Sequence, residues 1–283
     1  MPTPSNARRP FAVQSFGLTD PGKVRPANED HFVIVELART LCVQRSSIPQ
    51  AKSQYSSHRG HVFIVADGIG GHRAGEVASA LTVVTIESFL LNTLNRFFNL
   101  KSTDETTVLQ DFQSVLMQAD ARVFAEADLH PEFSGMGTTL TMAFAVDWKL
   151  YVAHAGDCRA YLFSNDRLFQ LTQDHTMAAE MIRRGTLTPS EAARNPYRHI
   201  VTNVVGGSHP GVKVEVHKFA LEADDLVLIC SDGLNEMVSD DRIAEVLRDD
   251  PDPQRSCERL IAEANANGGK DNITVVAAVF RGE

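Results

Sequence analysis

Asp67 and Asp232 occupy the same kind of place in the chain. In HVFIVADGIGG and in DLVLICSDG an apolar run ends on a carboxylate, and glycine follows at once. LYVAHAGDCR puts Asp157 behind another such run, GGKDNITVV puts Asp271 just ahead of the last one, and Glu29 and Asp30 precede the apolar stretch near His31. Any single Asp-Gly is ordinary turn chemistry, because both residues tolerate unusual backbone angles. Several acids at the ends of buried runs are a different matter. If those ends are neighbours, each pair of charges ~4 Å apart repels by about 4 kcal/mol at an effective dielectric of 20. Only Arg159 and Lys270 place a positive charge beside them in sequence. Divalent cations offset that repulsion, and all-oxygen ligation selects Mg2+, Mn2+ or Ca2+ over zinc. Gly68 then lets the backbone carbonyl turn toward a cation held by Asp67, while Gly70 and Gly71 allow close approach before a helix. GIGGHRAG lacks the Lys-Ser/Thr ending of a phosphate-cradling P-loop.

The elements that must position these acids are read from periodicity. Residues 11–18 and 31–38 have strand character, residues 40–60 are polar and irregular and read as a surface insertion, and a strand covers 62–66. Apolar residues then recur at three and four over 76–98 and 106–128, which predicts two helices. TTLTMAFAVDW, KLYVAHAGD and RAYLFSNDRLFQLT read as consecutive antiparallel strands with tight turns at Asp147-Trp148 and Asn165-Asp166. The polar segment 174–210, with short helices near 176–184 and 189–194, is an excursion from the sheet. Strands follow at 200–205, 212–220 and 225–230. Helices at 239–249 and 253–266 are capped by Ser239 and by Asp252 with Pro253, and NITVVAAVF closes the chain. Helices in two adjacent pairs among antiparallel strands give an α+β class: a four-layer α/β/β/α sandwich, two antiparallel sheets flanked by helix pairs.

A length of 283 residues suffices for one large domain or two small ones. Net charge −9 argues against a nucleic-acid binder, which needs a basic face. The cysteines, Cys42, Cys158, Cys230 and Cys257, form no CxxC pair, which disfavours structural zinc or a disulfide framework and fits a reducing compartment. No signal peptide and no run of about 18 apolar residues is visible, so a cytoplasmic protein without a membrane span is expected.

The ordered motifs VRPANEDHF, VADGIGGHRAGEVAS, GMGTTLT, AHAGDCRAYLF, LTQDHT, CSDGLNE and KDNITVV resemble the metal-dependent type 2C protein serine/threonine phosphatases in their bacterial form. The resemblance covers residues 11–281 as a single phosphatase domain, with 174–210 as the flap beside the active site, and implies a β-sandwich flanked by helix pairs. It implies two core Mn2+ or Mg2+ ions bridged by Asp67, the carbonyl of Gly68 on one ion, Glu29, Asp232 and Asp271 completing the other site, and Asp30 in the outer shell. It also implies a third, weaker ion on Asp157 and Asp232, with Glu236 as an additional ligand, and Arg25 as the arginine that grips the substrate phosphate. The activity so implied is hydrolysis of phosphoserine and phosphothreonine by attack of a metal-activated water. The implied partners are phosphorylated proteins and a Hanks-type serine/threonine kinase, for a monomeric enzyme. Ile69 departs from the histidine of many eukaryotic members, which leaves His72 or a metal-bound water as proton donor. Cys158 and Cys230, beside two of the acids, are expected to be small buried residues. His154, His175 and His199 lack paired ligand spacing and receive no metal. A non-catalytic phosphoprotein-binding module would lack a core acid, whereas Glu29, Asp67, Asp232 and Asp271 are all present; a two-metal nuclease would need a basic groove.

Overall fold

The structure is a computed structural model that describes residues 11–41, 54–70, 73–97, 105–192 and 194–282. In chain order the elements are β1 (Phe11–Asp20), β2 (Asp30–Leu41), β3 (Gln54–Ile69), α1 (Arg73–Phe97), α2 (Glu105–Leu129), β4 (Gly137–Val146), β5 (Lys149–Ala155), β6 (Arg159–Ser164) and β7 (Arg167–Gln170). Then come α3 (Met177–Arg183), α4 (Pro189–Ala192), β8 (Val205–Gly206), β9 (Glu215–Ala220), β10 (Leu226–Cys230), α5 (Asp232–Asn235), α6 (Asp240–Asp249), α7 (Pro253–Ala266) and β11 (Ile273–Gly282). The five-stranded sheet has the order β1-β11-β10-β6-β7, and the six-stranded sheet runs β2-β3-β4-β5-β9 with β8 on β4.

Strand alternation builds three apolar layers from this order. In β3, Val62, Ile64 and Ala66 point to α1 and α2, where Ile86, Phe112 and Leu116 meet them. Their neighbours Phe63 and Val65 point the other way, into the layer between the sheets, against Val276, Ala278 and Phe280 of β11. Val275 and Ala277 of the same strand face Ile243, Val246 and Leu260 of α6 and α7. The sandwich is therefore α/β/β/α, as expected from the order of elements. The segment Arg73–Thr93 of α1 is long and apolar enough to cross a membrane by length and composition. Half of it is buried, with Ala78, Ile86 and Leu90 in the layer under the six-stranded sheet, the position of a core helix.

Local chemistry explains the ends of several elements. Asp147 and Trp148 have φ of 50° and 60°, and Asn165 and Asp166 have 50° and 61°, so both expected turns carry two left-handed residues, as twisted two-residue hairpins require. The Ser239 side chain accepts from Arg242 N at the start of α6, and Asp252 does the same from Arg255 N at the start of α7.

Three expectations are corrected. β4, β5 and β6 are not three neighbours in one sheet: β6 pairs with β10 in the five-stranded sheet, so the chain crosses between sheets at 156–158. The strand of 62–66 begins at Gln54, since 54–60 pairs with β2 across a bulge between Ala38 and Thr40, so the irregular character expected of 40–60 does not extend to those residues; residues 42–53 lie outside the described ones. Over 200–205 there is only an isolated bridge from Val201 to Thr176 before the two-residue β8.

Candidate active site

The sheet registers bring the acids together at one end of the sandwich. Asp30 is paired with Asp67 across β2 and β3, and Asp67 with Thr139 across β3 and β4, where Thr138 Oγ1 donates to the Asp67 carbonyl at 2.8 Å. From the other sheet, Asp232 follows β10 and opens α5, and Asp271 precedes β11. Asp157 sits at the crossing between sheets. Glu29, Asp67, Gly68, Asp157, Asp232, Glu236 and Asp271 line one cleft of about 1240 Å³ with Arg25 at its rim.

Asp30 is different. It lies beneath the cleft, 4% exposed, and its Oδ2 accepts from Ser231 Oγ and Thr274 Oγ1, both at 2.7 Å. Those hydroxyls belong to the opposite sheet, so Asp30 ties the two sheets together. Arg25 Nη2 donates to Asp271 Oδ2 at 2.5 Å, and this bond raises the guanidinium above its ordinary value.

The electrostatics test whether cations fit here. Burial, then the charges of Asp30, Asp232, Asp157 and Asp271, push Asp67 well above the usual carboxylate range. Asp232 is raised in the same way, by burial and then by Asp157 and Asp271. Burial and the charge of Asp174 take Asp157 up to about 7 against the pull of Arg159, which is itself bound bidentately by Asp174 at 2.9 and 2.7 Å. Burial takes Asp30 up to about 6 against its hydroxyl donors. Among the described residues, Asp30 Oδ1 and Asp232 Oδ1 are buried without a hydrogen-bond partner, a costly state for a carboxylate. A set of crowded oxygens with buried lone pairs to spare suits hard divalent cations.

Some residues that shape the site carry no signal of their own in the sequence. A Cβ on Gly75 would stand 2.1 Å from Glu29 Oε2, so this glycine makes room for the Glu29 carboxylate, next to Gly68, where a Cβ would stand 2.4 Å from the Gly75 carbonyl. Asn272 accepts from Glu29 N at 2.8 Å and donates to the carbonyls of Pro21 and Ala27, fixing the loop that carries Arg25. Only a contact between distant segments reveals either role. Cys158 and Cys230 are fully buried free thiols, as expected. His72 lies outside the described residues.

The fold assembles His154, His175 and Glu215, which sequence spacing did not suggest as a group. Their hydrogen bonds argue against a metal. His175 Nδ1 accepts from Gly156 N and Asn203 Nδ2, both at 3.0 Å, so the ring's proton sits on Nε2, facing Glu215 Oε2 at 3.3 Å. A protonated nitrogen cannot ligate. Hydrogen bonds from His175 and His217 outweigh burial and hold Glu215 down at about 2. His199 is in contact with Glu236 at the cleft.

Comparison with known proteins agrees with this arrangement. The profile described as Protein phosphatase 2C matches residues 42–270. The serine/threonine phosphatase stp of Listeria innocua is 31% identical over 260 residues, covering 91% of this chain and 92% of that protein. The serine/threonine protein phosphatase PstP of Mycobacterium tuberculosis is 33% identical over 274 residues, covering 96% of this chain and 46% of that protein. The crystal structure of the PstP catalytic domain in complex with two manganese ions superimposes with a TM-score of 0.75 at 29% identity, covering 96% of this chain and all of that one. The Streptococcus agalactiae serine/threonine phosphatase gives a TM-score of 0.77 at 28% identity, over 95% of this chain and 99% of that one. The chain belongs to the protein phosphatase 2C family.

Proposed function

We propose that this protein is a metal-dependent protein phosphatase that hydrolyses phosphoserine and phosphothreonine in a single domain spanning 11–281. The observation that carries the reading is the convergence of Asp67, Asp232 and Asp271 from two sheets on one cleft, where Asp232 Oδ1 is buried with no hydrogen-bond partner among the described residues. Asp67, the Gly68 carbonyl, Glu29, Asp232 and Asp271 would hold two Mn2+ or Mg2+ ions, with Asp30 supporting from below and Asp157 with Asp232 and Glu236 holding a third. Bound there, divalent cations supply Lewis acidity that activates water and neutralises charge on the phosphoryl oxygens. Arg25 lines the cleft with Nη2 engaged by Asp271, and its remaining guanidinium N–H groups would bind and orient the phosphate. Ser231 and Thr274, by holding Asp30, keep the two sheets at the spacing that the acids require.

The relatives named as serine/threonine phosphatases support phosphoproteins as substrates. A Hanks-type kinase as the opposing enzyme, a monomeric state and a cytoplasmic location complete the proposal. The test is manganese-dependent release of phosphate from a phosphothreonine peptide by the wild type and by Asp67→Asn. The variant is expected to lose about 10²–10³-fold in kcat/KM, the scale of removing a group central to charge stabilisation. Peptide binding without turnover by the wild type would favour a non-catalytic phosphoprotein-binding module instead.

A further inference from the structure

One wall of the cleft is the segment 206–211, GGSHPG, and all six residues line it. Gly206, Gly207 and Gly211 have φ of 79°, 86° and 108°, so the wall is built from backbone that only glycine adopts readily. Such a segment has little rigidity of its own. Its neck is closed by Asn203, whose amide donates to Lys213 O at 2.8 Å and accepts from Lys213 N at 2.9 Å. Its two ends are pinned from inside by one side chain. Asp120 of α2, 5% exposed, accepts from Gly206 N at 2.7 Å through Oδ1 and from Gly211 N at 3.0 Å through Oδ2. The start of the wall is also fixed to the site, because β8 pairs with Gly137 and Thr138 of β4, and Thr138 holds the Asp67 carbonyl.

Asp120 does not itself line the cleft. Its carboxylate shapes a surface without reaching the reacting centre. The cleft volume of about 1240 Å³ exceeds the roughly 300–1,000 Å³ of small-molecule pockets. A bound phosphoresidue therefore leaves room for the polypeptide on either side of it. We propose that Asp120 is a positioning residue for polypeptide substrates: by holding Gly206 and Gly211 it fixes the wall on which the chain flanking the phosphoresidue is seated. The proposal rests on the phosphatase reading. It separates substrates by size, because a small aryl phosphate does not reach the wall and a phosphopeptide does.

The test compares wild type, Asp120→Ala and Asp120→Asn on p-nitrophenyl phosphate and on a phosphothreonine peptide, with Mn2+, alongside hydrogen–deuterium exchange of 206–211. Asp120→Ala is expected to raise the peptide KM by about tenfold, the scale of losing charge-assisted hydrogen bonds. Its peptide kcat and both parameters for p-nitrophenyl phosphate stay within about twofold of wild type. Amides of 206–211 exchange faster. Asp120→Asn keeps one acceptor oxygen and falls between the two; it is read in the same way if the alanine variant does not fold. A parallel loss on both substrates, or an unchanged peptide KM, overturns the proposal. A wild type inactive on both substrates sinks the phosphatase reading instead.

Discussion

A hydrogen in place of a methyl group decides where the Glu29 carboxylate can lie. Gly75→Ala places a Cβ about 2.1 Å from Glu29 Oε2 and 2.8 Å from the Gly68 carbonyl carbon, so the acid or the helix start must move. Overpacking of this kind costs about 1–3 kcal/mol, which predicts that half-maximal activation needs roughly tenfold more Mn2+ or above. A manganese titration of activity checks this, with circular dichroism to show that the helices persist; an unchanged titration would refute it. The acids themselves were legible in the sequence, because a charged group at the end of an apolar run stands out against its neighbours. Gly75 and Asn272 were not. Within GHRAGE a glycine reads as part of a helix start, and the asparagine reads as turn chemistry. Their work is done on Glu29, more than forty residues from Gly75 and more than two hundred from Asn272.

At the scale of elements, the caps of α6 and α7 are separable from the chemistry. Ser239→Ala and Asp252→Ala each remove a side chain that accepts a backbone N–H at a helix start, and each is expected to cost ~1 kcal/mol. Both helices cover the outer face of the five-stranded sheet, so thermal melting should shift while kcat/KM holds; a loss of activity without a shift would contradict the assignment. Helix spacing, caps and tight turns were legible because their causes are local. Partnership between strands was not. The alternation in KLYVAHAGD and RAYLF states which faces are apolar and leaves open which sheet each strand joins. Gly156, at φ 121°, with its Cα hydrogen against Thr139, is where the chain turns from one sheet to the other and delivers Asp157.

At the scale of the molecule, crowded acids tie stability to pH and to cations. Asp30 rises from 3.8 to about 6 and Asp157 from 3.8 to about 7, so between those values the folded state binds more protons than the unfolded one. Stability of the metal-free protein therefore falls as pH rises from about 4 to about 7, by an amount on the order of a few kcal/mol, and stays low above that range. Cations bind the ionised acids and offset the same repulsion. Adding Mn2+ is expected to raise the melting temperature more at pH 8 than at pH 5.5, and a chelator to reverse it; equal increments at both pH values would count against the cluster as the binding site. The acids come from both halves of the sandwich, Asp67 from one and Asp232 and Asp271 from the other, with Asp30 bonded across the seam. Neither half can slide along the other without resetting the gaps between them. Alignment of the layers is thus gauged at the cleft like a vernier, and drift among the packed side chains between them meets the tolerance of the chemistry before it meets the limit of folding.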